Sequence, residues 1–107
     1  MKEICNFKIN NKLYTIYDIN KIEGKSSYVG QSQYDKGLIF IEEDDIEDML
    51  LTLKHELMHV WLYENGHTNQ DGNDIFDYED VCELVALSNN SINEIVKEYC
   101  YCKDVIV

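Results

Sequence analysis

The longest run of helical periodicity in the chain is residues 46–65, IEDMLLTLKHELMHVWLYEN. Its apolar side chains recur at intervals of three and four residues, which is the spacing of one face of an α-helix. These side chains are Met49, Leu50, Leu53, Leu57, Val60 and Trp61. Asp44 and Glu47 have the spacing of a capping box, and Asn65-Gly66 supplies a C-cap. We therefore expect a helix over residues 44–65.

Two histidines, His55 and His59, stand four residues apart inside this helix. Residues at that spacing lie one above the other on a helix, so both imidazoles point the same way and can bind one ion. Neutral imidazole nitrogens suit Zn²⁺. Glu56 is offset by about 100° from His55, which places it beside the pair and not among the ligands. There it can act as general base toward a zinc-bound water, whose pKa the metal lowers to about 7.

A third ligand must come from elsewhere, because a catalytic zinc site takes three protein ligands and keeps one open position. Candidates in the polar loop after the helix are His67, Asp71 and Asp74, and candidates in the next helix are Glu79 and Glu83. A carboxylate on a packed helix is held more rigidly than one on a polar loop, which favours the two glutamates.

The residues before the histidine helix follow a strand pattern. Ile4–Ile9 and Leu13–Ile19 are separated by Asn10-Asn11, a two-residue hairpin signal. Ser27–Tyr34 and Gly37–Glu42 form a second pair, joined by a short turn. The last of these strands carries apolar residues on both faces, which favours a place inside the sheet. We therefore expect a short antiparallel sheet ahead of the helix.

Two further helices are predicted after the loop, over Tyr78–Ser88 and over Ser91–Tyr101. Strands first and helices afterwards indicate the α+β class. A length of 107 residues is that of one domain. We expect strands mainly within 1–43, the histidine helix at 44–65 and the remaining helices within 77–103.

The charge and the cysteines limit the partners and the compartment. A net charge of −12 without clustered Lys and Arg argues against nucleic acid as a partner. Residues 1–10 lack the apolar run of a secretory signal, and no stretch is long enough for a membrane span. We expect a cytoplasmic protein with no membrane contact. Its four cysteines are then reduced and structural, since cytosolic thiols stay free.

The spacing of the motif resembles that of a known group of zinc peptidases. His55-Glu56-x-x-His59, followed after nineteen residues by Glu79, is similar to the gluzincin pattern of thermolysin-like enzymes. In that pattern the glutamate is the third zinc ligand, and an acidic residue four positions later orients one histidine. Glu83 stands at this later position, so the resemblance assigns it to the second shell of the metal.

Residues 79–86, EDVCELVA, also look like the ligand helix of the ImmA/IrrE-type metallopeptidases of phages and mobile elements. Those are small cytosolic proteins in which a short sheet precedes the zinc helix. The likeness covers residues 53–86 closely and the strands at 28–42 loosely. Cys82 and Glu83 depart from the alanine and asparagine usual in that family, and this departure bears on the substrate more than on the metal.

The resemblance implies a zinc-dependent endopeptidase that hydrolyses a protein or peptide substrate, with a regulator of a mobile element as one candidate. A non-catalytic zinc-binding interaction module is the alternative. A closed site with four protein ligands is typical of such a module, whereas a solvent-bound fourth position is typical of an enzyme. The sequence contains no indication of the oligomeric state.

Overall fold

A computed structural model describes residues 1–20, 29–68, 73 and 76–105. In these ranges four strands precede two long helices, in the α+β order that the sequence predicts. The elements are β1 (Lys2–Ile9), β2 (Lys12–Ile19), β3 (Gly30–Gln33), β4 (Leu38–Glu42), α1 (Ile46–Glu64) and α2 (Val81–Cys102), with a 3-10 turn at Tyr78–Asp80 before α2. Neither of the two described helices has the length and apolarity that a membrane span requires.

The hairpin between β1 and β2 is the predicted one. Asn10 and Asn11 both adopt positive φ angles, of 50° and 68°, and Ile9 pairs with Lys12 across them. Positive φ at both central residues defines a type I′ turn, which asparagine tolerates better than most residues do. The Asn10 side-chain amide also donates to the carbonyl of Glu64 at 3.0 Å, so the turn is tied to the end of α1.

The sheet is mixed, with strand order β1-β2-β4-β3. The expected antiparallel arrangement holds for β1 with β2 and for β3 with β4, but β4 runs parallel to β2. The prediction of an all-antiparallel sheet was therefore wrong for this pair. β4, with apolar side chains on both faces, takes the inner position between β2 and β3, and β3 lies at the edge, so β4 pairs with β2 across a crossover and not through a hairpin. The expectation that β4 lies inside the sheet is confirmed.

One face of α1 packs into the core as its periodicity predicts. Its buried apolar residues are Met49, Leu53, Leu57, Val60, Trp61 and Leu62, and Leu50 is half-buried at the margin. The helix ends in a Schellman motif, because Gly66 has a φ of 80°, the His67 N–H donates to Leu62 at 2.7 Å, and the Gly66 N–H donates to Tyr63 at 3.2 Å.

The start of α1 differs from the predicted capping box. The N-cap is Asp45, one residue later than expected, and its side chain makes no capping hydrogen bond. The carboxylate of Asp44 accepts from the Asp45 N–H at 2.8 Å instead. Glu47 and Asp48 in the first turn still favour the helix, because negative charge is stabilised by the positive end of its dipole.

The second and third helices of the sequence prediction are one continuous helix. Ser91 with Glu94 has the spacing of a helix cap, which predicts a break before Ser91, and Ser88-Asn89-Asn90-Ser91 also has low helix propensity. In the structure Ser88 is buried, and its hydroxyl donates to the carbonyl of Val85 at 3.3 Å. One face of α2 buries Leu84, Ser88, Ile92, Ile95, Val96, Tyr99 and Cys100. Burial of several large apolar side chains outweighs a propensity cost of about 0.5 kcal/mol per residue.

The C-terminal end of α2 is fastened to the sheet by a buried carboxylate. Asp18 on β2 is 2% exposed, and it accepts a hydrogen bond from the Tyr99 hydroxyl at 2.6 Å. Its other oxygen pairs with the ammonium group of Lys103. A buried carboxylate with both oxygens occupied has its desolvation cost offset by charge-assisted hydrogen bonds. Burial, followed by the bond to Asp18, raises the pKa of Tyr99 above its ordinary value.

We expect Tyr99→Phe to lower the free energy of unfolding by about 1–3 kcal/mol at pH 7, because one oxygen of buried Asp18 loses its donor. The raised pKa also means that the unfolded chain releases the phenol proton first. The contribution of the Tyr99 hydroxyl to stability is therefore fully present below pH 10.0, the pKa of tyrosine in the unfolded chain, and is lost as pH rises above that value.

Urea unfolding at pH 7 and at several pH values above 10 measures both effects. The variant should lose less stability across the alkaline window than the unaltered protein does. Tyr101→Phe, the same change at a residue that is 81% exposed, is the control. Equal stability of the two variants would contradict the role of Asp18.

Candidate metal site

At the histidine motif, different faces of α1 contact different elements of the fold. Met58 contacts α2, and Glu56 contacts β3. Because successive residues are about 100° apart on a helix, His55 and His59 point between these two directions. The opposite side of the helix carries Leu57 into the core. The imidazoles therefore stand in the space that separates α2 from the edge strand β3.

The two imidazoles face each other through the same ring atom. The Nε2 atoms of His55 and His59 are 3.1 Å apart, and the rings meet edge to face with their centroids 4.7 Å apart. At this distance one nitrogen can donate a proton to the other, with the direction set by the tautomers. An ion placed about 2.05 Å from both nitrogens would see them at an angle of about 100°, close to the tetrahedral angle of zinc sites. The donor set therefore fits Zn²⁺ at two of its positions.

Glu56 is the one buried carboxylate of α1 and lies beside the imidazole pair. It is 8% exposed, and its Oε1 accepts a hydrogen bond from the Ser32 hydroxyl on β3 at 2.7 Å. Its Oε2 is 4.0 Å from Nε2 of His55. One oxygen is thus anchored to the sheet while the other is turned toward the pair. A general base needs a free oxygen within reach of its proton, directly or through one water, and Oε2 is the oxygen on the side of the imidazoles.

The backbone of β3 comes unusually close to α1 at Gly30. A Cβ atom at this residue would lie 2.6 Å from Cγ2 of Thr52 and 3.0 Å from Cγ of Glu56. Sequence reasoning missed both Gly30 and Ser32 because neither is near the motif in the chain. A glycine inside a strand is a signal of close backbone approach, but the sequence does not say to what.

The two glutamates that sequence and resemblance assign to the site are exposed. Glu79 lies in the 3-10 turn and not on the helix proper, whereas Glu83 lies in the first turn of α2. Among the described residues, no third His, Cys, Asp or Glu side chain forms a group with His55 and His59 in which all ligand atoms lie within 4.8 Å. Glu79 as ligand and Glu83 as its support stay predictions.

The helix register bears on which glutamate is nearer. The hydroxyl of Ser88 contacts the Met58 sulfur at 3.4 Å, and the Lys103 ammonium lies 3.9 Å from the sulfur of Met49, so the two helices run antiparallel. At a rise of about 1.5 Å per residue, Glu83 stands about 7 Å along the axis from Ser88, and Glu79 about 13 Å. The register therefore favours Glu83 more than the resemblance does.

Of the other predicted ligands, His67 is described and does not join the pair. His67 stacks on Trp61, with ring centroids 5.9 Å apart and an interplanar angle of 8°. Trp61 is about 200° from His59 around the helix, so His67 lies against a different face of α1. Asp71 and Asp74 fall outside the described residues.

Three carboxylates at the start of α1, from Asp44, Asp45 and Asp48, do lie within 4.8 Å of one another. All three residues are exposed. Their position at the N-terminus of a helix, where negative charge is stabilised, accounts for their presence without a metal.

An aromatic pair borders the imidazoles on the C-terminal side. Tyr63 follows His59 by one helical turn, and it stacks on Tyr34 with ring centroids 4.3 Å apart and an interplanar angle of 6°. Tyr34 follows directly after β3, two residues beyond Ser32. Strand and helix are therefore joined at two points, one on each side of the candidate site.

Comparison of the chain with protein-family models, with curated proteins and with solved structures finds no match. The similarity to gluzincins accordingly depends on the spacing of a few residues, and the chemistry of the site has to be argued from its own geometry.

We expect the chain to bind one Zn²⁺ or Co²⁺ through His55 and His59, because their facing nitrogens leave two ligand positions already formed. Substituting His59→Ala should weaken metal binding at least 100-fold, an effect of about 2.7 kcal/mol. Titration with Co²⁺, followed by its visible absorption and by calorimetry, measures this. His67→Ala is the matched control and should leave Co²⁺ affinity unchanged. A larger loss of affinity in His67→Ala than in His59→Ala would place the metal at the loop that contains His67.

The third ligand can be identified by the same titration. We expect Glu79→Gln or Glu83→Gln to weaken Co²⁺ binding strongly, since an amide is a poorer ligand than a carboxylate. The larger loss identifies the residue that binds directly, and the smaller loss identifies the supporting one. Glu94→Gln, at an exposed position further along α2, serves as control. Wild-type affinity in both glutamate variants would remove α2 from the site.

Proposed function

We propose that this protein is a zinc-dependent endopeptidase in which His55 and His59 hold the metal and Glu56 is the general base. One observation carries the proposal. The two Nε2 atoms face each other 3.1 Å apart, with a buried carboxylate oxygen 4.0 Å from one of them. A purely structural zinc site has no use for a base in that place, whereas hydrolysis needs one.

The residues of the chain supply binding, orientation and proton transfer. When bound, Zn²⁺ would polarise the scissile carbonyl and lower the pKa of its water. Glu56 then accepts the proton of the attacking water at Oε2 and later delivers it to the leaving amine. The burial of Glu56 supports this role, because electrostatic interactions are stronger in a site of low dielectric constant.

The edge of the sheet suggests how a substrate is held. β3 is the outer strand beside β4, and its face toward α1 carries Ser32, which contacts Glu56. An extended peptide that adds to such an edge forms backbone hydrogen bonds, so it is held close to the base whatever its side chains are. An exposed or unfolded segment of a protein meets this requirement. A regulator of a mobile element is the candidate that the resemblance adds.

A non-catalytic zinc-binding interaction module is the second candidate. In the described residues neither Glu79 nor Glu83 joins the histidine pair within 4.8 Å, so the number of protein ligands that complete the site decides between the two candidates. Four protein ligands around a bound Co²⁺ would support this candidate, while an exchangeable water at the fourth position would support the enzyme.

The substitution Glu56→Gln separates the two candidates. We expect it to leave zinc content at one ion per chain and to lower hydrolysis of fluorescein-labelled casein by at least 100-fold, because glutamine cannot accept the proton. Metal content is measured by mass spectrometry and hydrolysis by the release of labelled peptides. Glu64→Gln, the same change at the C-terminal end of α1, is the control. Loss of zinc in Glu56→Gln, or hydrolysis that survives it, would contradict the assigned role.

A further inference from the structure

We propose that Ser32 is a positioning residue that fixes Oε1 of Glu56 and so assigns the proton-accepting role to Oε2. This inference rests on the proposed function and adds to it a residue outside the histidine motif. Ser32 lies 24 residues before Glu56, on a different element of the fold. Its hydroxyl bonds the carboxylate of Glu56, so the role proposed for it is exerted through that side chain.

The two oxygens of Glu56 have different surroundings. Oε1 accepts the Ser32 hydroxyl at 2.7 Å, a normal length for a charge-assisted O–H···O bond. Oε2 is 4.0 Å from Nε2 of His55, on the side where the pair would present a metal-bound water. A free glutamate side chain exchanges its oxygens by rotation about χ3, which has a broad two-fold profile. The bond to Ser32 removes this freedom.

Gly30 makes the bond between Ser32 and Glu56 possible. Residues two apart on a strand share a face, so Gly30 and Ser32 both lie toward α1. A Cβ at Gly30 would lie 3.0 Å from Cγ and 3.3 Å from Oε2 of Glu56. A larger residue would therefore push the carboxylate away from the strand or lift the strand from the helix. With glycine there, the hydroxyl of Ser32 reaches the carboxylate without displacing it.

The stacked rings of Tyr34 and Tyr63 form a second contact between this part of the chain and α1. Tyr34 lies in the turn directly after β3, two residues beyond Ser32, and its ring centroid is 4.3 Å from that of Tyr63 on α1. An aromatic pair of this kind contributes about 0.5–1.5 kcal/mol beyond the area that it buries. The strand therefore cannot slide along α1 without breaking both contacts, and the hydroxyl of Ser32 is held at a fixed height beside Glu56.

The first experiment compares Ser32→Ala, Ser32→Thr and the control Ser91→Ala, which makes the same change at an exposed residue of α2. With fluorescein-labelled casein as the probe, we expect Ser32→Ala to lower kcat about tenfold and to change KM less than twofold, because the substrate is bound as before and the base is misplaced. Ser32→Thr, which keeps the hydroxyl, should restore most of kcat. Zinc content should be the same in all three. An Ser32→Ala variant that matches Ser91→Ala in kcat would overturn the inference.

The second experiment uses no activity at all. Unfolding of Ser32→Ala, Glu56→Ala and the double variant in urea forms a thermodynamic cycle, in which we expect coupling of about tenfold in the unfolding equilibrium constant. Hydrolysis without coupling would overturn the positioning role alone. Coupling without hydrolysis by the unaltered protein would overturn the proposed function, and the positioning role with it.

Discussion

The rotation of α1 about its own axis is the constraint on which the candidate site depends. Leu53, Leu57 and Val60 are fully buried under the sheet and α2, and their burial allows only one rotation of the helix. With that rotation fixed, His55 and His59 emerge between α2 and β3. A turn of one residue, about 100°, would bring the imidazoles into the core and expose leucine. The buried apolar face of α1 therefore fixes the direction in which the imidazoles point.

The two elements on either side of the imidazoles, α2 and β3, are held in place by different interactions. α2 is held at its far end by Asp18, which bonds Tyr99 and Lys103, and nearer the site by the contact of Ser88 with Met58. Among the described residues, β3 is held by β4 along one edge and by its contacts with α1. A four-residue edge strand has little burial of its own. Its hydrogen bond to a buried carboxylate is therefore a large part of what keeps it in place.

Local patterns predicted the elements, and long-range pairing was beyond them. The periodicity of residues 46–65 predicted α1 and its buried face, and Asn10-Asn11 predicted the hairpin, which the structure shows to have a type I′ turn. Both features depend on neighbours in sequence. The parallel pairing of β2 with β4 joins strands that are distant in the sequence and buries Ile39 and Ile41 of β4, and Ser88–Ser91 stays helical only because α2 packs on the core. Propensity at four residues does not contain that information.

The same distinction applies within the site. The motif specifies an angle, since residues at i, i+1 and i+4 of a helix have fixed directions, and this angle places Glu56 beside the histidines. It does not specify which oxygen of the Glu56 carboxylate faces the imidazoles, because that depends on a hydrogen bond formed with another element. Ser32 supplies the donor, and its approach requires Gly30 on the same strand. A helix with the same motif but no such strand would present a base free to rotate, with correspondingly less of the orientation from which catalysis gains.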